Sequence, residues 1–290
     1  MDVVHLHGMH YPHNFIGYFW ARILRKKVVM TPHFFPGHHF YERRSHYWLL
    51  KQCDAVFAVS DLEREHLIKG GVNRNKVFTV GNAIDLEEYQ AEGLDSFREN
   101  LCAKYVIQPQ EKMVIFLGRR VQYKGIDPLM QAVFDINRSY NPKIRLLIAG
   151  PSMKWFDDYY DQLPANQKKQ IVDLGIVSHQ EKVNLLHLSD IVALPSEYEA
   201  FGIVFLEAWA CGKPVIGGDR GAMPQIIEGG GMTVPYGDVE KLRQAIQFFI
   251  TQPSVGVEMA KRGKQKLKNH YTTEIVGNKV LRVLKEMAHC

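Results

Sequence analysis

The chain has 290 residues, 46% of them hydrophobic, which suits an ordinary globular interior of one large domain or two and argues against disorder. Its 36 Lys and Arg stand against 31 Asp and Glu, a net charge of +5 that favours anionic ligands or surfaces but lacks the concentrated basic charge of a nucleic-acid binder. Cys53, Cys102, Cys211 and Cys290 lie far apart with no C-x-x-C or zinc spacing, so free thiols in a reducing compartment are expected, and no apolar run approaches a membrane span.

The first twenty residues, "MDVVHLHGMHYPHNFIGYFW", lack the basic start and cleavage site of a signal peptide, so a cytoplasmic location is expected. Four short apolar runs follow one another, "DVVHLHG", "KVVMTPH", "DAVFAVS" and "KVFTVGN", and read as strands, with "DLEREHLIKGG" as a helix closed by glycine. Between the first two lies "YFWARILRKKVVM". It fits a charged helix end leading into a strand, and it fits a segment touching the inner face of an anionic membrane. The polar stretch "AIDLEEYQAEGLDSFRENL" marks a domain boundary near residue 90.

Beyond it, "MVIFL", "IRLLIAG", "DIVALP" and "PVIGG" read as buried strands alternating with helices, the pattern of a parallel α/β sheet. In "GIDPLMQAVFDIN", Asp127 is the expected N-cap and Pro128 the first helical residue. Asp238 caps a later helix with Leu242, Ala245, Ile246, Phe249 and Ile250 on one stripe.

Two stretches carry the chemistry. "GRRVQYKG", residues 118–125, follows a strand and runs into a helix, which places Arg119 and Lys124 where anionic ligands collect in open α/β sheets; a solvated basic loop is the plainer alternative. "EAFGIVFLEAWACG" sets a helix of about ten residues between Gly202 and Gly212, apolar except for Glu207, with Glu199 in the loop before it. Glu199 alone could be a helix-dipole acid. A carboxylate among apolar neighbours is costly unless satisfied, either by ligand hydroxyls or by a structural Arg or Lys. A glycosidase pair fits poorly, because one acid is on a loop and the other about two turns along the helix, beside cations that hydrolysis does not need.

The motifs "GRRVQYKG", "LGIVSHQEKVNLLHLSDIVALPSEYEAFGIVFLEAWACGKPVIGGDRGAMPQII" and "VPYGD" resemble the carboxyl-terminal domain of retaining family 4 glycosyltransferases. The resemblance implies a GT-B-like α/β fold of two Rossmann-like domains and transfer of a sugar from a nucleotide-diphosphate sugar to a glycan, lipid-linked or small-molecule acceptor. It further implies that Gly118, Arg119 and Lys124 meet the diphosphate, Glu207 the ribose, and Glu199, Ala200, Phe201, Gly202 and Ile203 the sugar, with no metal or other cofactor. "DVVHLHG" resembles the acceptor-side strand whose histidine faces the sugar, giving that role to His7 and, more weakly, His5. "MTPHFFPGHHF" resembles an acceptor-side loop; the spacing of His33, His38 and His39 fits no familiar metal site. The implied domains are residues 1–90, 91–272 and a carboxyl-terminal helix, 273–290, packing towards the first.

One departure is clear: the sequence starts at about the fourth strand of the family's first domain. An incomplete domain would need its sheet edge covered, by self-association or a separately encoded subunit, unless the reading frame is truncated. The alternative to an enzyme is a non-catalytic nucleotide-sugar-binding or scaffolding subunit that works with a partner.

Overall fold

The computed structural model describes residues 3–34, 41–139 and 141–288 and divides into two α/β units. The first comprises residues 1–83, 198–201 and 269–290. Its strands β1 (Val3–His7), β2 (Lys27–Thr31), β3 (Ala55–Ala58) and β4 (Val77–Thr79) form a parallel sheet in the order β1-β2-β3-β4, with β1 at one edge. The connecting helices are α1 (His13–Ile23), α2 (Arg44–Gln52) and α3 (Asp61–Lys69). Strand residues alternate between faces. Val28, Met30, Val56 and Ala58 meet Leu49, Leu50 and Leu67 of the connecting helices. Val29, Ala55 and Phe57 meet Val276, Val280 and Val283 of the carboxyl-terminal helix Thr273–Ala288, so both faces of the sheet are covered.

The second unit comprises residues 84–197 and 202–268. Its strands are β5 (Lys112–Leu117), β6 (Ile144–Ala149), β7 (Ile171–Gly175), β8 (Ile191–Leu194), β9 (Val215–Gly218) and β10 (Gly231–Val234), all parallel in the order β10-β9-β8-β5-β6-β7. Its helices are α4 (Leu94–Tyr105), α5 (Ile126–Ser139), α6 (Lys154–Asp161), α7 (Ala165–Lys168), α8 (His179–Leu188), α9 (Ile203–Ala210), α10 (Met223–Ile227), α11 (Val239–Thr251) and α12 (Pro253–His270). Two parallel-sheet units of this kind are the α/β architecture that the alternating pattern predicts.

Strands β7 and β10 are additions to the sequence reading. Both are edge strands paired on one side; "IVDLG" carries an acid and "GMTV" starts with glycine, so backbone pairing rather than side-chain propensity holds them. A correction applies to the start of α5. The helix begins at Ile126, placing Asp127 inside its first turn rather than at the cap, and Asp127 Oδ1 is buried without a hydrogen-bond partner. Gly125 makes the earlier start possible: its φ is +72°, and a Cβ there would lie 2.3 Å from the Pro195 carbonyl oxygen. Asp238 does cap α11, accepting from Lys241 N–H at 2.9 Å. Cys53, Cys102 and Cys211 are free thiols; Cys290 lies outside the described residues.

Candidate functional site

In the second sheet the chain runs outward from β5 through β6 to β7, then returns to β8 and proceeds the opposite way through β9 to β10. The order therefore reverses between β5 and β8. In open α/β sheets the crevice beyond the strand ends at such a switch point is where ligands bind. Gly118–Gly125 leaves β5 there and Pro195–Gly202 leaves β8 beside it. The two loops are bound together: Glu197 N–H donates to the Tyr123 carbonyl at 2.7 Å, and Gly125 packs on the Pro195 carbonyl.

The two adjacent arginines of "GRRVQYKG" part ways. Arg119 is exposed, its guanidinium donating to Tyr123 Oη at 2.7 Å. Arg120 is buried and forms two parallel bonds to the Asp173 carboxylate, 2.8 and 2.6 Å, while lying 5.2 Å from the Phe156 ring centre. Such a fork is a structural clamp between β5 and β7. Lys124 closes the short 3-10 turn Gln122–Lys124, half-buried, with its ammonium 5.7 Å from the Tyr123 ring centre. Gly118 N–H donates to the Ala149 carbonyl at 3.0 Å.

Helix α9 is shorter than expected, eight residues, and starts from Gly202 at φ +82°, where a Cβ would fall 2.5 Å from the Phe205 ring. Its side chains are buried except Ile203, which is exposed, and Glu207, which is nearly so confined. Of the two ways to satisfy Glu207, ligand hydroxyls or a structural cation, the structure supplies the cation. Glu207 Oε1 accepts from Lys182 Nζ at 2.6 Å and from Tyr89 Oη at 2.8 Å, and the same ammonium lies over the Tyr89 ring. Burial, followed by the Glu207 charge, raises the Tyr89 pKa and keeps it a donor. Both bonds fall on Oε1, which leaves Oε2 as the oxygen with capacity for ligand hydroxyls.

Neither partner is foreshadowed locally. Lys182 sits in the first turns of α8, whose start is fixed by the reciprocal Ser178–Glu181 capping box, and Tyr89 lies 118 residues before Glu207.

Residues 198–201 belong to the first unit. Glu199 and Ala200 are buried there, and Phe201 is buried edge-to-face against Tyr271, 5.2 Å between ring centres. In the same unit His5 and His7 share a face of β1, with ring centres 4.1 Å apart, and His33 stacks on His7 at 5.9 Å. His5 Nε2 pairs with Thr31 Oγ1 at 2.9 Å. Desolvation, then the neighbouring imidazoles His7 and His33, lowers the His5 pKa to about 4; desolvation, His7 and His10 lower that of His33. The site therefore collects neutral rings at neutral pH on these two positions. Among the described residues no group of three or more His, Cys, Asp or Glu is placed to hold a metal; His38 and His39 lie outside them.

A family model described as Glycosyl transferases group 1 matches residues 97–268, and one described as Glycosyltransferase Family 4 matches residues 1–88. An uncharacterized 41.2 kDa protein in the cps region of Klebsiella pneumoniae is 28% identical over 258 residues, 83% of this chain and 67% of that protein. A GDP-mannose-dependent monoacylated alpha-(1-6)-phosphatidylinositol monomannoside mannosyltransferase of Corynebacterium glutamicum is 29% identical over 176 residues. That match covers 58% of this chain and 45% of the relative, so the chain spans about two thirds of the first protein and under half of the second. Among solved structures, Anabaena HepE in complex with UDP gives a TM-score of 0.85 at 20% identity, over 98% of this chain and 79% of that one. Sucrose-phosphate synthase from Thermosynechococcus elongatus gives 0.80 at 20% identity, over 99% and 74%.

Proposed function

Because the chain belongs to the glycosyl transferases group 1 family, with the GT-B-like pair of α/β units that goes with it, we propose that it moves a sugar from a nucleotide-diphosphate sugar to an acceptor hydroxyl with retention of anomeric configuration. The observation that carries the reading is the switch point of the second sheet. Two cations on the loop after β5 and a half-satisfied carboxylate on the helix after β8 offer what a sugar nucleotide carries, a diphosphate and vicinal hydroxyls.

Arg119 and Lys124 neutralise the diphosphate, and stabilise it further as it leaves with the bonding electrons of the anomeric C–O bond. The acceptor hydroxyl enters from the face the diphosphate vacates and gives its proton to the departing phosphate oxygen, so no protein nucleophile is required. Glu207 Oε2 takes the ribose hydroxyls, while Lys182 and Tyr89 fix the carboxylate in one rotamer. Gly202 and Ile203, at the start of α9, offer their backbone to the transferred sugar, while Glu199, Ala200, Phe201 and His7 keep the sugar-facing roles that the family resemblance implies. The names of two relatives support a sugar-nucleotide donor: one is a GDP-mannose-dependent transferase, and one solved structure holds UDP.

The test is a panel of UDP-, GDP- and ADP-sugars followed by thermal shift and by slow hydrolysis of the donor in the absence of acceptor. Stabilisation by one nucleotide class, lost in Arg119→Ala, is the expected result. No response to any of them would sink the donor-site reading.

A further inference from the structure

Asp127 brings a carboxylate into the second unit that the fold itself does not use. It stands in the first turn of α5, where the helix dipole favours an acid but does not require it to be buried. Among the described residues no donor reaches its buried Oδ1, and burial raises its pKa, opposed only by its own backbone N–H. An acid left this way weakens the fold that carries it, and such groups collect where ligands bind.

Asp127 lines a cavity of about 420 Å³ formed by α5, α6, the Gln122–Lys124 turn and the start of α11. Gln131, one helical turn on, brings a second polar side chain to the same face; its Nε2 is bonded to Asp135 Oδ1 at 2.8 Å, so its Oε1 is the atom left to accept from a ligand. Tyr159 enters from α6, its ring stacked on Trp155 at 5.8 Å between centres. Burial, followed by the Asp127 charge, raises the Tyr159 pKa and keeps its Oη a donor. Gln122 and Tyr236 form another wall, joined by the bond from Tyr236 Oη to the Gln122 carbonyl at 3.2 Å, and Val239 adds apolar surface.

This lining selects by charge and by shape. It contains one acid and no Lys or Arg, which turns phosphates and carboxylates away. Its acceptors, the Asp127 carboxylate and Gln131 Oε1, stand beside donors, Tyr159 Oη and the Gln122 amide. Hydroxyl groups answer both, because each donates and accepts. The tyrosine rings suit the apolar face of a sugar, and the volume falls within the range of small-molecule sites. We propose that this cavity is a second ligand site that takes an uncharged sugar, its hydroxyls donating to Asp127 and accepting from Tyr159. None of the residues assigned to the donor lines it, so the inference stands apart from the transfer reaction; Gln122 belongs to the turn that carries Lys124, so an occupant touches the donor loop.

The experiment is saturation-transfer NMR of the full chain with glucose, galactose, mannose and N-acetylglucosamine, each raised to about 50 mM because a single sugar ring in an open cavity binds in the millimolar range. Expected is transfer to at least one of the four, kept in Glu207→Gln and lowered at least about tenfold in affinity in Asp127→Asn, with a smaller loss in Tyr159→Phe. Asp127→Asn should also melt no lower than the parent, since it removes a buried charge that the fold does not pair. No transfer to any of the four sugars in the parent chain, or equal transfer in Asp127→Asn, would overturn the inference. So would a lower melting temperature of Asp127→Asn with sugar binding unchanged, which would make the acid structural. Binding of spermidine in place of the sugars would overturn it as well, by making the cavity an ammonium site.

Discussion

Substituting Glu207 by Gln keeps the shape of the side chain and removes its charge. In the parent, Oε1 receives a charge-assisted bond from Lys182 at 2.6 Å and one from Tyr89 at 2.8 Å. Bonds to a charged group contribute about 1.5–3 kcal/mol each and neutral ones about 0.5–1.5, so the exchange costs about 1 kcal/mol or slightly more per bond. The Lys182 side chain is 25% exposed and recovers some hydration, which brings the expected loss of stability to about 1–2 kcal/mol. For a protein of this size that is a fall of roughly 3–7 °C in melting temperature. Losing a carboxylate that accepts ribose hydroxyls adds a second effect, about 10- to 100-fold weaker binding of the sugar nucleotide. Isothermal titration with the nucleotide sugar chosen by the thermal-shift panel separates the two, with Tyr89→Phe as the control. That variant removes one internal bond but leaves the carboxylate, so it should lower the melting temperature while holding donor affinity within about threefold. If Glu207→Gln melts earlier yet binds the donor as the parent does, the acid is only a partner for Lys182 and the ribose assignment is wrong.

The neighbouring arginines give a second contrast. Arg119→Ala should leave stability within about 0.5 kcal/mol and weaken donor binding at least about tenfold, whereas Arg120→Ala should cost about 2 kcal/mol, measured by urea unfolding, because the buried guanidinium loses its packing on Phe156 and its fork to the exposed Asp173 carboxylate; equal effects would contradict the division of roles. Gly125→Ala should destabilise by more than about 2 kcal/mol, because the new Cβ meets the Pro195 carbonyl at a positive φ; a fully stable variant would show that the two loops are not held in register. Glu63 predicts a pH dependence. Fully buried, with its oxygens accepting from Phe34 N–H (2.6 Å) and Val59 N–H (2.5 Å), it has a pKa raised by desolvation from 4.5 to about 7. The folded chain keeps a proton that the unfolded chain releases, so this contribution to stability is full below about pH 4.5 and is lost as pH rises to about 7, a decline of a few kcal/mol. Glu63→Gln should flatten that slope in unfolding titrations; a profile identical to the parent's would exclude Glu63 as its source.

Much of the fold is local and was readable as such. Runs such as "KVVMT" and "IRLLIA" are β-branched or apolar at nearly every position because both faces of a parallel sheet are covered, and glycines or caps such as Asp238 mark where the elements end. The placing of Arg119 and Lys124 at a strand-to-helix loop followed from the same signals. Edge strands β7 and β10 escaped because their pairing uses backbone groups that every residue possesses.

What the sequence by itself determined, then, is the alternation of strands and helices, and the small set of charged residues that the connecting loops carry. Only the tertiary structure decided which arginine clamps Asp173 and which stays at the loop surface, and that Glu207 meets Lys182 and Tyr89, 25 and 118 residues away. It also decided that the buried Asn14 of α1 bonds to the carbonyls of His7 and Gly8 at the end of β1. The reason is one of range. Periodicity records how side chains are spaced around a helix or strand over one or two turns; which face turns inward, and which distant group satisfies a buried charge, depends on partners brought together only when the layers pack.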